Sequence, residues 1–133
     1  MERRDYDRVI PLARLILGKD PSSEEAVELI NAAFYQKGVE LDRRQNHVQS
    51  LEAYEEVEPG YRDVDSRIAQ AREAVKKQAE QYYRQGVNSY VKENLAEAID
   101  AWEKTLALDP DHSKAGQDID KARLLLKKLQ SIQ

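Results

Sequence analysis

Two stretches of the chain carry one residue pattern, shifted by 48 positions, and this repetition constrains the fold more than any other feature. Phe34-Tyr35-Gln36-Lys37-Gly38-Val39 falls on Tyr82-Tyr83-Arg84-Gln85-Gly86-Val87. With no gap, Ser50-Leu51-Glu52-Ala53-Tyr54-Glu55 falls on Ala98-Ile99-Asp100-Ala101-Trp102-Glu103. The first copy is then shorter by three residues, so Pro59 meets Pro110 and Val64, Ile68 and Ala71 meet Ala115, Ile119 and Ala122. A third, partial copy opens the chain, with Asp20-Pro21 followed by Ala26, Ile30 and Ala33. The unit is therefore helix, short turn, helix, proline-containing turn, repeated about two and a half times.

Periodicity assigns the elements. Val64, Ile68, Ala71, Val75, Gln78 and Tyr82 advance by alternating steps of four and three, which is one stripe of a helix. The helices expected are Tyr6–Leu17, Ser23–Leu41, His47–Glu56, a long segment over Arg62–Val91, Leu95–Leu108 and Ser113–Leu129. The long segment is expected either as one helix or as two meeting near Lys76–Gln78, since about ten more residues separate Pro59 from Gly86 than separate Pro21 from Gly38. Gly18 reads as a helix stop. Ser22 or Ser23, with Glu24 or Glu25 nearby, reads as a capped start, and Asp111 or Ser113 as the cap of the last helix. All four prolines are expected in first turns or loops. No segment alternates as a strand does.

The best copy, Ala79–His112, resembles the tetratricopeptide repeat. Tyr82 stands at the aromatic position, Gly86 four residues on and Tyr90 four after that, and Ala98, Trp102 and Leu106-Ala107-Leu108-Asp109-Pro110 complete the unit. The copy over Asn31–Pro59 is weaker, keeping Phe34, Gly38, Ser50, Tyr54 and Val57. The resemblance implies an all-α fold, an antiparallel helix-hairpin array of about five helices with a C-terminal capping helix. The expected organisation is a single domain over 1–133, with a partial repeat over 6–30 and a degenerate repeat over 31–59. A long helix over 62–78 then leads into the full repeat over 79–112, and a capping helix over 113–130 closes the array. In the family, small residues such as Gly86 and Ala98 let two helices approach, and aromatics such as Tyr82 and Trp102 fill the space beside them.

The resemblance also implies a function: a non-catalytic module that binds a peptide or protein segment on its concave helical face. Carried over by position, that face holds Tyr35, Val39 and Asp42 in one unit and Glu80, Tyr83, Val87 and Tyr90 in the next. The same tyrosines also fit burial against a neighbouring helix. The family's charged clamp for a C-terminal carboxylate needs Lys and Asn where this chain has Glu80, Tyr83 and Val87, so recognition of a chaperone tail is not implied. The alternative is self-association within a larger bacterial protein, through an apolar edge of Tyr6, Ile10, Ala13 and Leu17 covered by a second copy. The Ala98-Ile99-x-x-Trp102 pattern and the Leu-rich last helix are also similar to repeat segments of bacterial envelope proteins.

Other chemistry finds little support. The chain has no cysteine and two histidines, His47 and His112, neither with a second ligand at metal spacing. Both read as surface or cap residues, and no cofactor is expected. Glu52, Glu55, Glu56 and Glu58 lie on a solvated helix face, without the apolar wall that tunes a general acid. Gly18, Gly38, Gly60, Gly86 and Gly116 are isolated, so no phosphate loop forms. The 21 basic and 25 acidic side chains are interspersed, which gives no footprint for nucleic acid. No stretch approaches the roughly 18 apolar residues that span a bilayer. Met1-Glu2-Arg3-Arg4-Asp5 lacks the apolar run of a signal peptide. A cytoplasmic protein is expected, or a periplasmic or envelope-associated one if the chain is excised from a longer protein.

Overall fold

Ser23 shows how the sequence sets a helix boundary. Its backbone is extended and its Oγ accepts the Ala26 N–H at 3.2 Å, satisfying one of the orphan donors of the helix that follows. Glu24 and Glu25 add negative charge to the same first turn. Ser22 instead bonds back to Asp20.

The computed structural model describes residues 5–132; Met1 to Arg4 of the segment compared with a signal peptide lie outside them. The elements are six α-helices: α1 Asp5–Lys19, α2 Glu24–Arg43, α3 His47–Glu55, α4 Val64–Val91, α5 Leu95–Leu108 and α6 Ser113–Ile132. Among the described residues there is no strand. The long segment is one continuous helix, α4, with no break near Lys76–Gln78. No helix is long and apolar enough to cross a membrane among the described residues.

The helices pack as neighbouring pairs in two compact units, which divide between Glu73 and Ala74. In the first unit α2 packs on α1 and α3. Tyr6, Ile10, Phe34, Tyr54 and Val64 belong to its core. In the second, α5 packs on α6 around Ala98, Trp102, Ala115 and Ile119.

The two hairpin turns are copies of each other. Gln45 and Glu93, 48 positions apart, both adopt left-handed backbone, with φ of 61° and 65°. Asn46 N–H then donates to Leu41 O and Asn94 N–H to Ser89 O, both at 2.9 Å.

Glycine sets the close approach within each hairpin. A Cβ on Gly38 would fall within 3 Å of three ring atoms of Tyr54, and a Cβ on Gly86 within 3 Å of three atoms of the Trp102 indole. Such contacts are far inside van der Waals distance. Tyr54 and Trp102 are buried in consequence, as are the small residues Ser50 and Ala98. Tyr82 does not share this role: it is half-buried, with Lys104 Nζ 5.7 Å from its ring centre.

Three expectations need correction. Pro11 lies inside α1, not in its first turn or a loop. Pro11 and Asp7 are both exposed, so the carbonyl left without its donor lies on the solvent side and the helix continues. Gly18 is within the last turn of α1 and does not stop it. The edge of Tyr6, Ile10, Ala13 and Leu17 is not free, because the first three are buried toward α2 and Leu17 is half-buried; the exposed apolar residues of α1 are Leu12, Leu15 and Ile16.

Candidate functional site

Tyr83, Val87 and Tyr90 follow one another on α4 at spacings of four and three, so they share one helix face. Gly86 lies beside that stripe and admits the indole of Trp102 from α5. The Trp102 Nε1–H donates to the Tyr83 carbonyl at 3.1 Å. One turn further along α5, Thr105 donates to Ala79 O at 3.2 Å. These bonds fix α5 against α4 and satisfy polar groups that burial would otherwise leave unpaired.

The aromatic rings form one group. The Trp102 ring centre lies 6.2 Å from that of Tyr83 and 5.9 Å from that of Tyr90. Tyr83 reaches α6, donating its hydroxyl to Asp118 Oδ2 at 2.6 Å. A cleft of about 320 Å³ results, lined by Tyr83, Val87, Tyr90, Trp102, Asp118 and Lys121. Its walls are aromatic and apolar, with one carboxylate and one ammonium at the α6 side. The Asp118 hydrogen bond, helped by burial, pushes the Tyr83 phenol up to about 12. At neutral pH that hydroxyl is a donor and not a base.

The turn into α6 is held by His112. Its Nδ1 accepts the Ala115 N–H at 3.1 Å, and its Nε2 lies 3.0 Å from Glu80 Oε2. His112, rather than Asp111 or Ser113, is thus the cap of this helix, because its ring nitrogen reaches the third residue beyond it. Its ring also lies 4.7 Å from that of Tyr83.

The residues picked from sequence separate clearly. Tyr83, Val87 and Tyr90 come together in the cleft. Glu80 lies beyond it, engaged with His112. Tyr35 is 8% exposed, donates to Asp63 at 2.5 Å and accepts from Arg67 Nε at 3.1 Å. The Asp63 hydrogen bond, with burial, raises the Tyr35 phenol. Val39 packs on the core of the first unit, and Asp42 lies 3.3 Å from His47 Nδ1. Trp102, Asp118 and Lys121 complete the cleft. Trp102 reads as a packing residue from sequence, and α6 reads only as a cap. The one available signal was the three-residue spacing of Asp118 and Lys121, which places them side by side on α6.

The glycine–indole approach and the turn geometry meet a sequence match at the same place: residues 79–112 match the family model described as tetratricopeptide repeat. The chain carries a tetratricopeptide repeat. No curated protein matches the chain. The repeat occupies α4 from Ala79, all of α5 and the turn to His112. It marks the chain as a protein–protein interaction module in general terms.

Proposed function

We propose that the chain is a non-catalytic adaptor whose repeat binds a peptide or protein segment in the cleft of Tyr83, Val87, Tyr90 and Trp102. The observation that carries this reading is the convergence of three aromatic rings and Val87 beside one carboxylate and one ammonium, in a cleft of about 320 Å³. Val87 and Tyr90 are 36% and 40% exposed, so two of these side chains offer surface to a partner. An apolar side chain of the bound segment would sit against the rings, where most binding energy is concentrated at such surfaces. Asp118 and Lys121 would set its register through polar contacts.

The test is affinity capture followed by quantitative mass spectrometry, comparing the wild-type chain with Val87→Asp/Tyr90→Ala. A partner retained by the first and lost by the second, with helicity unchanged, is the expected outcome. Equal capture by both would remove the cleft as the binding surface. Tyr83 is left intact because its bond to Asp118 holds α6.

A second reading, self-association as an assembly module of a larger bacterial protein, is favoured by one observation. Leu124, Leu125, Leu129 and Ile132 of α6 are all exposed, and Leu125 and Leu129 join Tyr90, Val91, Glu93 and Leu95 around a further cavity of about 580 Å³. Mass measured against concentration separates the readings. An adaptor stays monomeric, whereas an assembly module forms a larger species that Leu125→Glu/Leu129→Glu disperses.

A further inference from the structure

The first unit has a cleft of its own, about 460 Å³ in volume, among α1, α2 and α3. Tyr35, Val39 and Asp42 do not line it. Phe34, Lys37 and Leu41 contribute instead, at spacings of three and four, so a different face of α2 forms its floor. Arg14 stands on the α1 side, its guanidinium 5.6 Å from the Phe34 ring centre. Glu52 and Glu56 stand on the α3 side, four residues apart.

The charges around this floor are sorted by sign and lack close partners. Among the described residues, neither the Glu52 nor the Glu56 side chain has a hydrogen bond or ion pair, and Arg14 has no ion pair. Among the described residues Lys37 approaches only Asp7, at 3.9 Å, and that carboxylate is 68% exposed. Two like charges one helical turn apart are mutually unfavourable. Neither carboxylate forms a salt bridge with Arg14 or Lys37 across the cleft, among the described residues. Other acidic residues in this unit do find partners, as Glu55 does with Arg72 and Asp63 with Arg67.

We infer that this cleft docks a segment of a partner protein that carries a basic, an apolar and an acidic side chain along one face. The basic group meets Glu52 and Glu56, the apolar group covers Phe34 and Leu41, and the acidic group meets Arg14 and Lys37. A small zwitterion fits less well. Binding sites for small molecules enclose most of their ligand, whereas Arg14, Glu52 and Glu56 are all exposed. Exposed ion pairs add little affinity each, so the apolar contact holds the segment and the charges set its direction. The inference concerns a surface separate from the aromatic cleft of the repeat and does not depend on that cleft's role.

The probe is a fluorescein-labelled helical peptide of about four turns that presents Lys, Leu, Leu and Glu in that order on one face. Its binding to the full chain is read by fluorescence anisotropy at low salt. The wild-type chain should bind it, and Glu52→Lys/Glu56→Lys should weaken binding by about tenfold or more. A second peptide with Glu in place of the Lys should show the reverse preference, binding the variant better than the wild type. Arg14→Glu attacks the opposite wall and should weaken the first peptide independently. Val87→Asp/Tyr90→Ala should leave binding unchanged. No binding by the wild-type chain, or equal binding of both peptides by wild type and variant, overturns the inference. So does a wild-type dimer that Glu52→Lys/Glu56→Lys makes monomeric, since the occupant is then a second copy.

Discussion

The Tyr83 hydroxyl donates to the Asp118 carboxylate at 2.6 Å, tying the repeat's first helix, α4, to the helix that follows the repeat, α6. Tyr35 occupies the same position in the preceding copy, and its hydroxyl accepts from Arg67 at 3.1 Å, in the helix that follows that copy. One tyrosine position thus fastens the next helix in both copies, donating to a carboxylate in each, Asp63 for Tyr35 and Asp118 for Tyr83, with the Arg67 guanidinium added in the first copy. The arginines distinguish the covered copy from the open one. Arg62 and Arg67 lie 5.3 and 5.5 Å from the Tyr35 ring centre and cover it, whereas Tyr83 borders a cleft. The aromatic surface proposed for binding is therefore found in the second copy only.

This bond makes stability pH-dependent at the alkaline end. The Tyr83 phenol moves from 10.0 to about 12, chiefly because Asp118 accepts its proton in a hydrogen bond. A pKa raised on folding means that the native state holds the proton more tightly. The contribution is therefore complete below about pH 10 and is lost as pH climbs toward 12. Tyr83→Phe should flatten this part of the curve of urea-unfolding stability against pH. The slope due to Tyr35, Tyr54 and Tyr61, whose phenols are also raised, should remain. An unchanged slope in Tyr83→Phe would refute the assignment.

Glycine substitutions should divide by position. Gly86→Ala and Gly38→Ala place a methyl group into the Trp102 and Tyr54 rings, so each should lose about 1–3 kcal/mol despite the helix propensity gained. Gly18 and Gly116 also lie in helices but have nothing within 4 Å of the added carbon. Changing either to Ala should gain about 0.5–1 kcal/mol. Urea melts with unchanged m values would read all four.

The same glycines show how far the fold was legible in the sequence. Gly38 with Tyr54 and Gly86 with Trp102 recur at a fixed offset, and a repeated close approach leaves a repeated residue pattern. The helices could be assigned because their apolar stripes are local. Their partners could not, because partnering depends on residues brought together from a distance. Asn31 is one case: it reads as an ordinary polar helix residue, yet it is buried and clamps Glu58 through two hydrogen bonds, pinning the loop that carries Pro59. Lys121 is another, since nothing along α6 shows that Tyr83, Tyr90 and Trp102 face it. Tyr83, Val87 and Tyr90, half of the candidate cleft, followed from repeat position alone; Trp102 on α5 and Asp118 and Lys121 on α6 required the tertiary structure.

Backbone strain at the hairpin turns gives a further prediction. Gln45 and Glu93 hold left-handed backbone, which costs an L-residue about 1–2 kcal/mol. Changing either to Gly removes that cost but adds freedom to the unfolded chain, leaving a net gain of about 0.5–1 kcal/mol. Arg62 has φ of 45°, but its guanidinium lies 5.3 and 5.4 Å from the Tyr35 and Tyr61 ring centres. Arg62→Gly loses those contacts, worth about 0.5–1 kcal/mol, so it should gain less than the other two. Thermal melts of the three variants would rank them, and an Arg62→Gly gain equal to the others would show that the stacking contributes nothing.

The cap of α6 fixes the tautomer of His112. The Ala115 N–H donates to Nδ1, so Nδ1 must carry a lone pair, and the proton of the neutral ring sits on Nε2, aimed at Glu80 Oε2. Nitrogen chemical shifts of the imidazole should report the Nε2–H form; the Nδ1–H form would contradict the cap. His112→Ala removes the acceptor and should cost about 1 kcal/mol. His112→Asn, which offers a side-chain carbonyl at the same cap position, should recover most of that loss. Because α6 carries Asp118 and Lys121, the Ala variant should also loosen the cleft, lowering affinity for its bound segment more than the Asn variant does.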